Sequence, residues 1–177
     1  EEAFAGDIIG IFDPGIYRIG DSFVALGENL EFGEIPSFAP EHFARISAKD
    51  SLRRKQFLKG MEQLAQEGTV QLYKEPDIGT ETYVVGVVGI LQFDVLEHRL
   101  KGEYNTEIRK QSLNYSMAAW VSWEEGATPI PHEEMNLTST TLAVLDKDER
   151  LVLLFESDWA MDWARDRNPG LILRSNS

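Results

Sequence analysis

No cysteine occurs in the 177 residues. Disulfides, zinc–thiolate sites and cysteine nucleophiles are thereby excluded, and the composition is compatible with a reducing compartment. No run of 18 apolar residues is present, so no segment reads as a membrane-spanning helix. No charged stretch followed by an apolar one opens the sequence, so nothing in it argues for export. Glycine and proline, 14 and 7 residues, are too few for a low-complexity chain. The three histidines, His42, His98 and His132, show no i+3 or i+4 spacing, so no metal site is expected from them. Neither G-x-x-x-x-G-K-[ST], G-x-G-x-x-G nor G-x-S-x-G occurs.

Positive charge is also scarce: 17 Lys and Arg stand against 30 Asp and Glu, for a net charge of −13. Residues 1–40 carry net −7, residues 41–75 net +2, residues 76–123 net −2 and residues 124–177 net −6. Such a chain repels phosphate and is not a general nucleic-acid binder. An RNA contact is expected only from residues 41–75. The plainer reading of the acid excess is a solvated surface.

What is present is ordinary globular material, 42% apolar and 10% aromatic. Strand-like runs at 7–12, 16–19 and 23–26 alternate with turns at Asp13-Pro14-Gly15, Gly20-Asp21-Ser22 and Gly27-Glu28-Asn29. They are too few and too short to close a barrel. Residues 1–35 read as the last part of a β-domain, and the chain as a fragment. Ile35-Pro36-Ser37-Phe38-Ala39-Pro40 reads as a boundary.

Residues 41–121 predict strand, helix, strand, strand, helix, strand. The first helix is capped by Asp50 or Ser51 and carries Phe57, Leu58, Met61, Leu64 and Ala65 on one face, with Gly68 as its stop. The second has Leu91, Val95, Leu96 and Leu100 on its apolar side. Residues 106–121 contain strand with a bend near Asn114. This order is the split βαβ, ferredoxin-like arrangement. Residues 124–136 read as an acidic loop. Two strands then flank a turn at Asp146-Lys147-Asp148-Glu149, and a helix capped by Ser157 and a last strand follow. The predicted class is α+β: partial barrel strands (1–35), a split βαβ module (36–123) and a ββαβ segment (124–177).

Few constellations carry chemistry. Gly86-Val87-Val88-Gly89 ahead of a helix could offer backbone N–H groups to an anion. The plainer reading assigns Gly86 and Gly89 to backbone geometry. Asp158, Asp162 and Asp166 recur along one helix face and read as solvated. Trp159 and Trp163, and likewise Trp120 and Trp123, read as core. Arg45, Lys49, Arg53, Arg54, Lys55 and Lys59 fall within fifteen residues. Bases at a helix N-terminus oppose the macrodipole, so an external anionic partner such as RNA would rationalise them. Solubility and pairing with nearby acids is the alternative.

An ordered set of segments resembles the class II release-factor GTPase family of translation. It comprises Glu2-Ala3-Phe4-Ala5-Gly6-Asp7-Ile8-Ile9-Gly10-Ile11, Gly20-Asp21-Ser22-Phe23 and Ile35-Pro36-Ser37-Phe38-Ala39-Pro40-Glu41. Lys55-Gln56-Phe57-Leu58-Lys59-Gly60-Met61-Glu62-Gln63-Leu64-Ala65-Gln66-Glu67-Gly68 follows. Val85-Gly86-Val87-Val88-Gly89-Ile90-Leu91-Gln92-Phe93-Asp94-Val95, Arg99-Leu100-Lys101 and Glu103-Tyr104-Asn105 complete it. Residues 124–177 resemble the family less, through Leu142-Ala143-Val144-Leu145-Asp146.

The resemblance implies the end of a barrel domain and a third domain, with the GTPase domain outside this chain. It implies no catalytic, cofactor-binding or metal-binding residue here, and GTP and Mg for the intact protein. It implies the ribosome as partner, through rRNA and small-subunit proteins, and class I release factors indirectly. The expected setting is a cytoplasmic monomer with no membrane contact. Arg45, Lys49, Arg53, Arg54, Lys55 and Lys59 are the expected ribosome contacts. Alternatives are another translational GTPase, of the elongation-factor-G or ribosomal-protection type, or a free-standing acidic enzyme using a carboxylate pair.

Overall fold

Eight strands and three α-helices form among the described residues of the computed structural model, which are 2–12, 16–17, 20–28, 30, 38–76, 79 and 82–175. The chain divides into two units, Glu1–Ile35 and Pro36–Ser177.

In the first unit no strand is assigned among the described residues. The strands expected at 7–12 and 23–26 are not formed; of the run at 16–19, Arg18 and Ile19 lie outside the described residues, as does the turn at Asp13-Pro14-Gly15. Local turns form instead. Asp7 N–H donates to the Phe4 carbonyl at 3.0 Å, and Phe4 N–H donates to Asp7 Oδ2 at 2.8 Å. Glu28 N–H donates to the Ala25 carbonyl at 3.0 Å. A strand requires a paired neighbour and a covered face. Ile8 and Leu26 stand fully exposed, so no apolar layer offsets the cost of ordering them.

The second unit begins with the predicted split βαβ. Its strands are β1 (His42–Ala48), β2 (Gln71–Tyr73), β3 (Thr82–Val87) and β4 (Ile108–Leu113). They form one antiparallel sheet in the order β2-β3-β1-β4. Helices α1 (Arg54–Gln66) and α2 (Gln92–Tyr104) cover one face.

Local chemistry sets the helix ends. Asp50 Oδ1 accepts the Leu52 N–H at 2.9 Å and starts a 3₁₀ turn, Ser51–Arg53, that leads into α1. At the other end Gly68 takes φ +71. The Thr69 N–H reaches the Leu64 carbonyl and the Gly68 N–H reaches that of Ala65, both at 3.0 Å. This is a Schellman stop, which a glycine at that position allows. Phe57, Met61 and Leu64 are fully buried. Gly60 sits among them because α2 lies so close: a Cβ there would come within 2.7 Å of Leu100 Cδ2 and 2.9 Å of Tyr104 Cγ. On α2 the buried residues are Phe93, Leu96 and Leu100, while Leu91 is 72% and Val95 47% exposed. The predicted apolar side is corrected accordingly: the stripe facing the sheet passes through Phe93.

The bend near Asn114 is where the chain changes sheets. The span expected as one strand is β4 followed by β5 (Met117–Trp123). The latter joins β6 (Leu142–Leu145), β7 (Leu151–Phe155) and β8 (Leu171–Arg174) in a second antiparallel sheet, ordered β6-β7-β5-β8. β7 and β8 both run antiparallel to β5, which lies between them. They are joined by α3 (Asp158–Arg167), so this half is a second split βαβ unit.

Alternation along the strands fills three cores. Phe43, Tyr73 and Val84 of the first sheet meet Ala118, Trp120, Val144, Val152 and Leu154 of the second. Ala44, Ile46, Val85 and Val87 face α1 and α2. Ala119, Leu153 and Phe155 face α3. The unit is thus a helix–sheet–sheet–helix sandwich. Lys74 and Leu145 exchange both backbone hydrogen bonds at 2.8 Å and tie the two sheets together. The α+β class expected from the sequence is the class found.

Candidate functional site

The basic segment leaves β1 and enters α1, and the sheet divides it. Arg45 lies on β1 with Phe43, on the face away from the helices. Its guanidinium is held by Glu75, with Nη2 at 2.7 Å and Nε at 2.8 Å from Oε1. Both partners are largely withdrawn from water, so Arg45 is spoken for and faces away from the other bases. Lys49 follows β1 and reaches Glu107 Oε2 at 3.3 Å. Lys101, from the last turn of α2, reaches Glu107 Oε1 at 3.1 Å. The two ammonium groups hold the Glu107 carboxyl below its usual range. Lys101 was not expected: 52 positions separate it from Lys49, and the pairing of β1 with β4 sets Glu107 beside Lys49 while the end of α2 brings Lys101 to the same acid.

Arg53 ends the 3₁₀ turn half-buried, while Arg54, Lys55 and Lys59 are exposed on α1. Phe57, Met61 and Leu64 hold the opposite side of the helix against the sheet, which turns Lys55 and Lys59 outward at i, i+4. Arg53, Lys55 and Lys59 make no ion pair with any described residue. The six expected contacts thus separate into a paired Arg45, a shared Lys49 and an outward group of four.

The two glycines after β3 also part company. A Cβ at Gly86 would lie 2.9 Å from Pro40 Cβ and Cγ and 3.1 Å from Phe43 Cε1. Close approach accounts for that glycine. At Gly89 a Cβ meets nothing nearer than Gln92 Oε1 at 4.0 Å, and no positive φ requires glycine. The expectation of a geometric need is corrected at Gly89. The Gly89 N–H instead donates to Gln92 Oε1 at 2.9 Å, and Gln92 Nε2 donates to the Thr69 carbonyl at 3.1 Å. That back-bond resembles half of a capping box, and it occupies a donor that a phosphate cradle would need.

Other titratable groups serve the fold. Asp146 is 7% exposed. Burial alone would raise its pKa, yet the hydrogen bonds from Trp120, from the Arg150 backbone and guanidinium and from the Asp148 N–H hold it below the ordinary value. Burial pushes the Tyr73 phenol well up, with the Asp146 charge adding to it. Tyr73 donates to Gln71 Oε1 at 2.8 Å. Among the described residues no three His, Asp or Glu side chains are placed to hold a metal ion. An open hollow of about 620 Å³ is lined by Glu124, Thr128, Ile130, Glu134 and Pro169. No hydrogen bond joins Thr128 to either carboxylate, so the hollow offers no activated nucleophile. No helix among the described residues is long and apolar enough to cross a membrane.

The family model described as "Class II release factor RF3, C-terminal domain" matches residues 32–165. Peptide chain release factor 3 of Symbiobacterium thermophilum is 44% identical over 178 residues, covering 100% of this chain and 32% of that protein. The protein of the same name from Listeria monocytogenes is 43% identical over 173 residues, covering 98% of this chain and 32% of its own length. That from Staphylococcus aureus is 41% identical over 173 residues, with the same coverage. The chain spans about a third of the length of these curated relatives. With a family match over most of its length, the chain belongs to the class II release factor family and matches its C-terminal domain.

Proposed function

We propose that this chain is the ribosome-docking and coupling part of a translation-termination factor. The intact protein would promote GTP-dependent dissociation of class I release factors after peptide release. The observation that carries the reading is the outward group Arg53, Arg54, Lys55 and Lys59 on a chain of net charge −13. Three of these four have no acid partner among the described residues, although acids outnumber bases almost two to one. Local concentration of cations against that background suits a phosphate backbone. Family membership and the names of the relatives support a role in termination.

GTP and Mg²⁺ belong, in this reading, to the portion of the relatives' length that the chain does not match. The contribution of the present residues is recognition: α1 and Lys49 contact rRNA, and neighbouring surfaces contact small-subunit proteins. Docking couples to nucleotide state only through contacts that differ between two ribosome states. The setting is cytoplasmic, and the factor acts as a monomer.

The test is ribosome binding by the full-length factor with Arg53, Arg54 and Lys55 reversed to Glu. Each phosphate that a side-chain cation neutralises steepens the fall of log K with log salt by about 0.7–0.9. The variant should therefore bind more weakly, with a slope shallower by about 2. An unchanged slope would overturn the assignment.

A further inference from the structure

The outer side of α3 has no covering layer, and it carries two tryptophans. The helix rests on the second sheet through Ala160 and Ala164, both fully buried. Two methyl groups bring the backbone close and leave no depth for a large ring. Trp159 and Trp163 therefore stand to the side: Trp159 is 64% exposed and Trp163 half-buried. This corrects the expectation that the pair belongs to the core. Their ring centroids are 5.4 Å apart. The Arg167 guanidinium lies 4.7 Å from the Trp163 ring centre and extends the row to i, i+4, i+8.

Beside this row runs another. Asp162 and Asp166 follow Trp159 and Trp163 by three positions, which sets them about 60° around the helix axis. With Asp158 they form an exposed acidic line. Arg165 pairs with Asp162 at 3.2 Å. Asp158 and Asp166 have no ion partner among the described residues. An exposed Trp contributes little to helix stability, and a large exposed aromatic flanked by polar groups is the composition of an interface anchor.

We propose that this face of α3 docks an arginine-rich protein segment. Charge complementarity selects the occupant. The line of aspartates, within residues 124–177 of net charge −6, repels nucleic acid and attracts cations. A planar guanidinium stacks on the exposed face of Trp159 while it pairs with Asp162 or Asp166 in bidentate geometry. Arg167 on Trp163 already displays that stacking within the chain. The surface is separate from the basic face of α1, and it does not depend on the ribosome reading.

The test is anisotropy of two fluorescein-labelled peptides added to the chain, one with arginines and one with lysines at the same positions. At equal charge the two peptides differ in the planar guanidinium, through its stacking and its bidentate pairing. The arginine peptide should bind about three- to fivefold tighter than the lysine peptide. Trp159→Gln should reduce that preference, and Trp159→Phe should reduce it less. Asp162→Asn with Asp166→Asn should weaken both peptides. Equal binding of the two peptides by the parent chain, or an arginine preference that Trp159→Gln leaves undiminished, would overturn the proposal. So would tighter binding of a single-stranded RNA oligonucleotide that Trp159→Gln weakens. Trp159 is exposed, so circular dichroism of both Trp159 variants should match the parent.

Discussion

Replacing Asp146 by alanine should cost about 3 kcal/mol of stability, more than any other single carboxylate in the described structure. Its Oδ2 accepts from Trp120 Nε1 and Arg150 Nε at 2.9 Å and from Arg150 Nη2 at 2.8 Å. Its Oδ1 accepts the backbone N–H groups of Asp148 and Arg150 at 2.9 Å. The Arg150 side chain is nearly half exposed, so it and the turn N–H groups rehydrate when the carboxylate is gone. The indole N–H does not, because Trp120 is wedged between the sheets. An orphaned buried donor costs about 1–3 kcal/mol, and broken bonds to a charged acceptor add about 1.5–3 kcal/mol before rehydration. For a unit of this size about 3 kcal/mol corresponds to about 8–12 °C in Tm.

Urea denaturation of the parent, Asp146→Ala, Trp120→Phe and the double variant measures both the cost and its origin. The double variant should cost at least about 1 kcal/mol less than the two single costs combined, because both singles break one bond. The parent should also lose stability in acid. Asp146 titrates below its ordinary value of 3.8 in the folded chain, so the unfolded chain binds the proton first. The contribution is complete above about pH 5 and fades as pH falls through the depressed folded value. Asp146→Ala should flatten that fall. A cost under about 0.5 kcal/mol, or strict additivity with Trp120→Phe, would refute the reasoning.

Two further outcomes follow from close approach. Gly60→Ala should destabilise by about 1–2 kcal/mol despite its gain of about 1 kcal/mol in helix propensity. The new methyl would overlap Leu100, which is fully buried, and the inner ring atoms of Tyr104; a rise in Tm would show that the helices part freely. Gly86→Ala should cost about 1–3 kcal/mol against Pro40 and Phe43. Gly89→Ala should stay within about 0.5 kcal/mol, and equal losses at both glycines by thermal melting would contradict the geometry.

Short-range chemistry wrote much of this protein into its sequence. Periodicities of two and of 3.6 residues are properties of the backbone, so the β-α-β-β-α-β order was legible before any packing was known. Asp50, Gly68 and Ser157 act within one helical turn, so the helix ends were legible as well. The turn Asp146-Lys147-Asp148-Glu149 was legible for the same reason. What a segment faces is another matter, since a face is buried only by whatever covers it. The change of sheet after Leu113 places β5 among strands from thirty or more residues further on, and no local signal encodes that distance. The described runs at 7–12 and 23–26 show the converse: strand-like composition forms no strand without a neighbour to pair with.

The candidate site divides along the same line. Six bases within fifteen residues are visible in the sequence. Only the tertiary structure commits Arg45 to Glu75 on the far side of the sheet, brings Lys101 to Lys49 through Glu107, and turns Arg53, Arg54, Lys55 and Lys59 toward solvent. On α3 two alanines, rather than two tryptophans, form the buried stripe. The sequence by itself determined the periods, the caps and the placement of charge along the chain, because those depend on neighbours a few residues away. The sheet memberships, the buried stripes and the ion pairs depend on groups tens of residues apart, and the tertiary structure alone decided them.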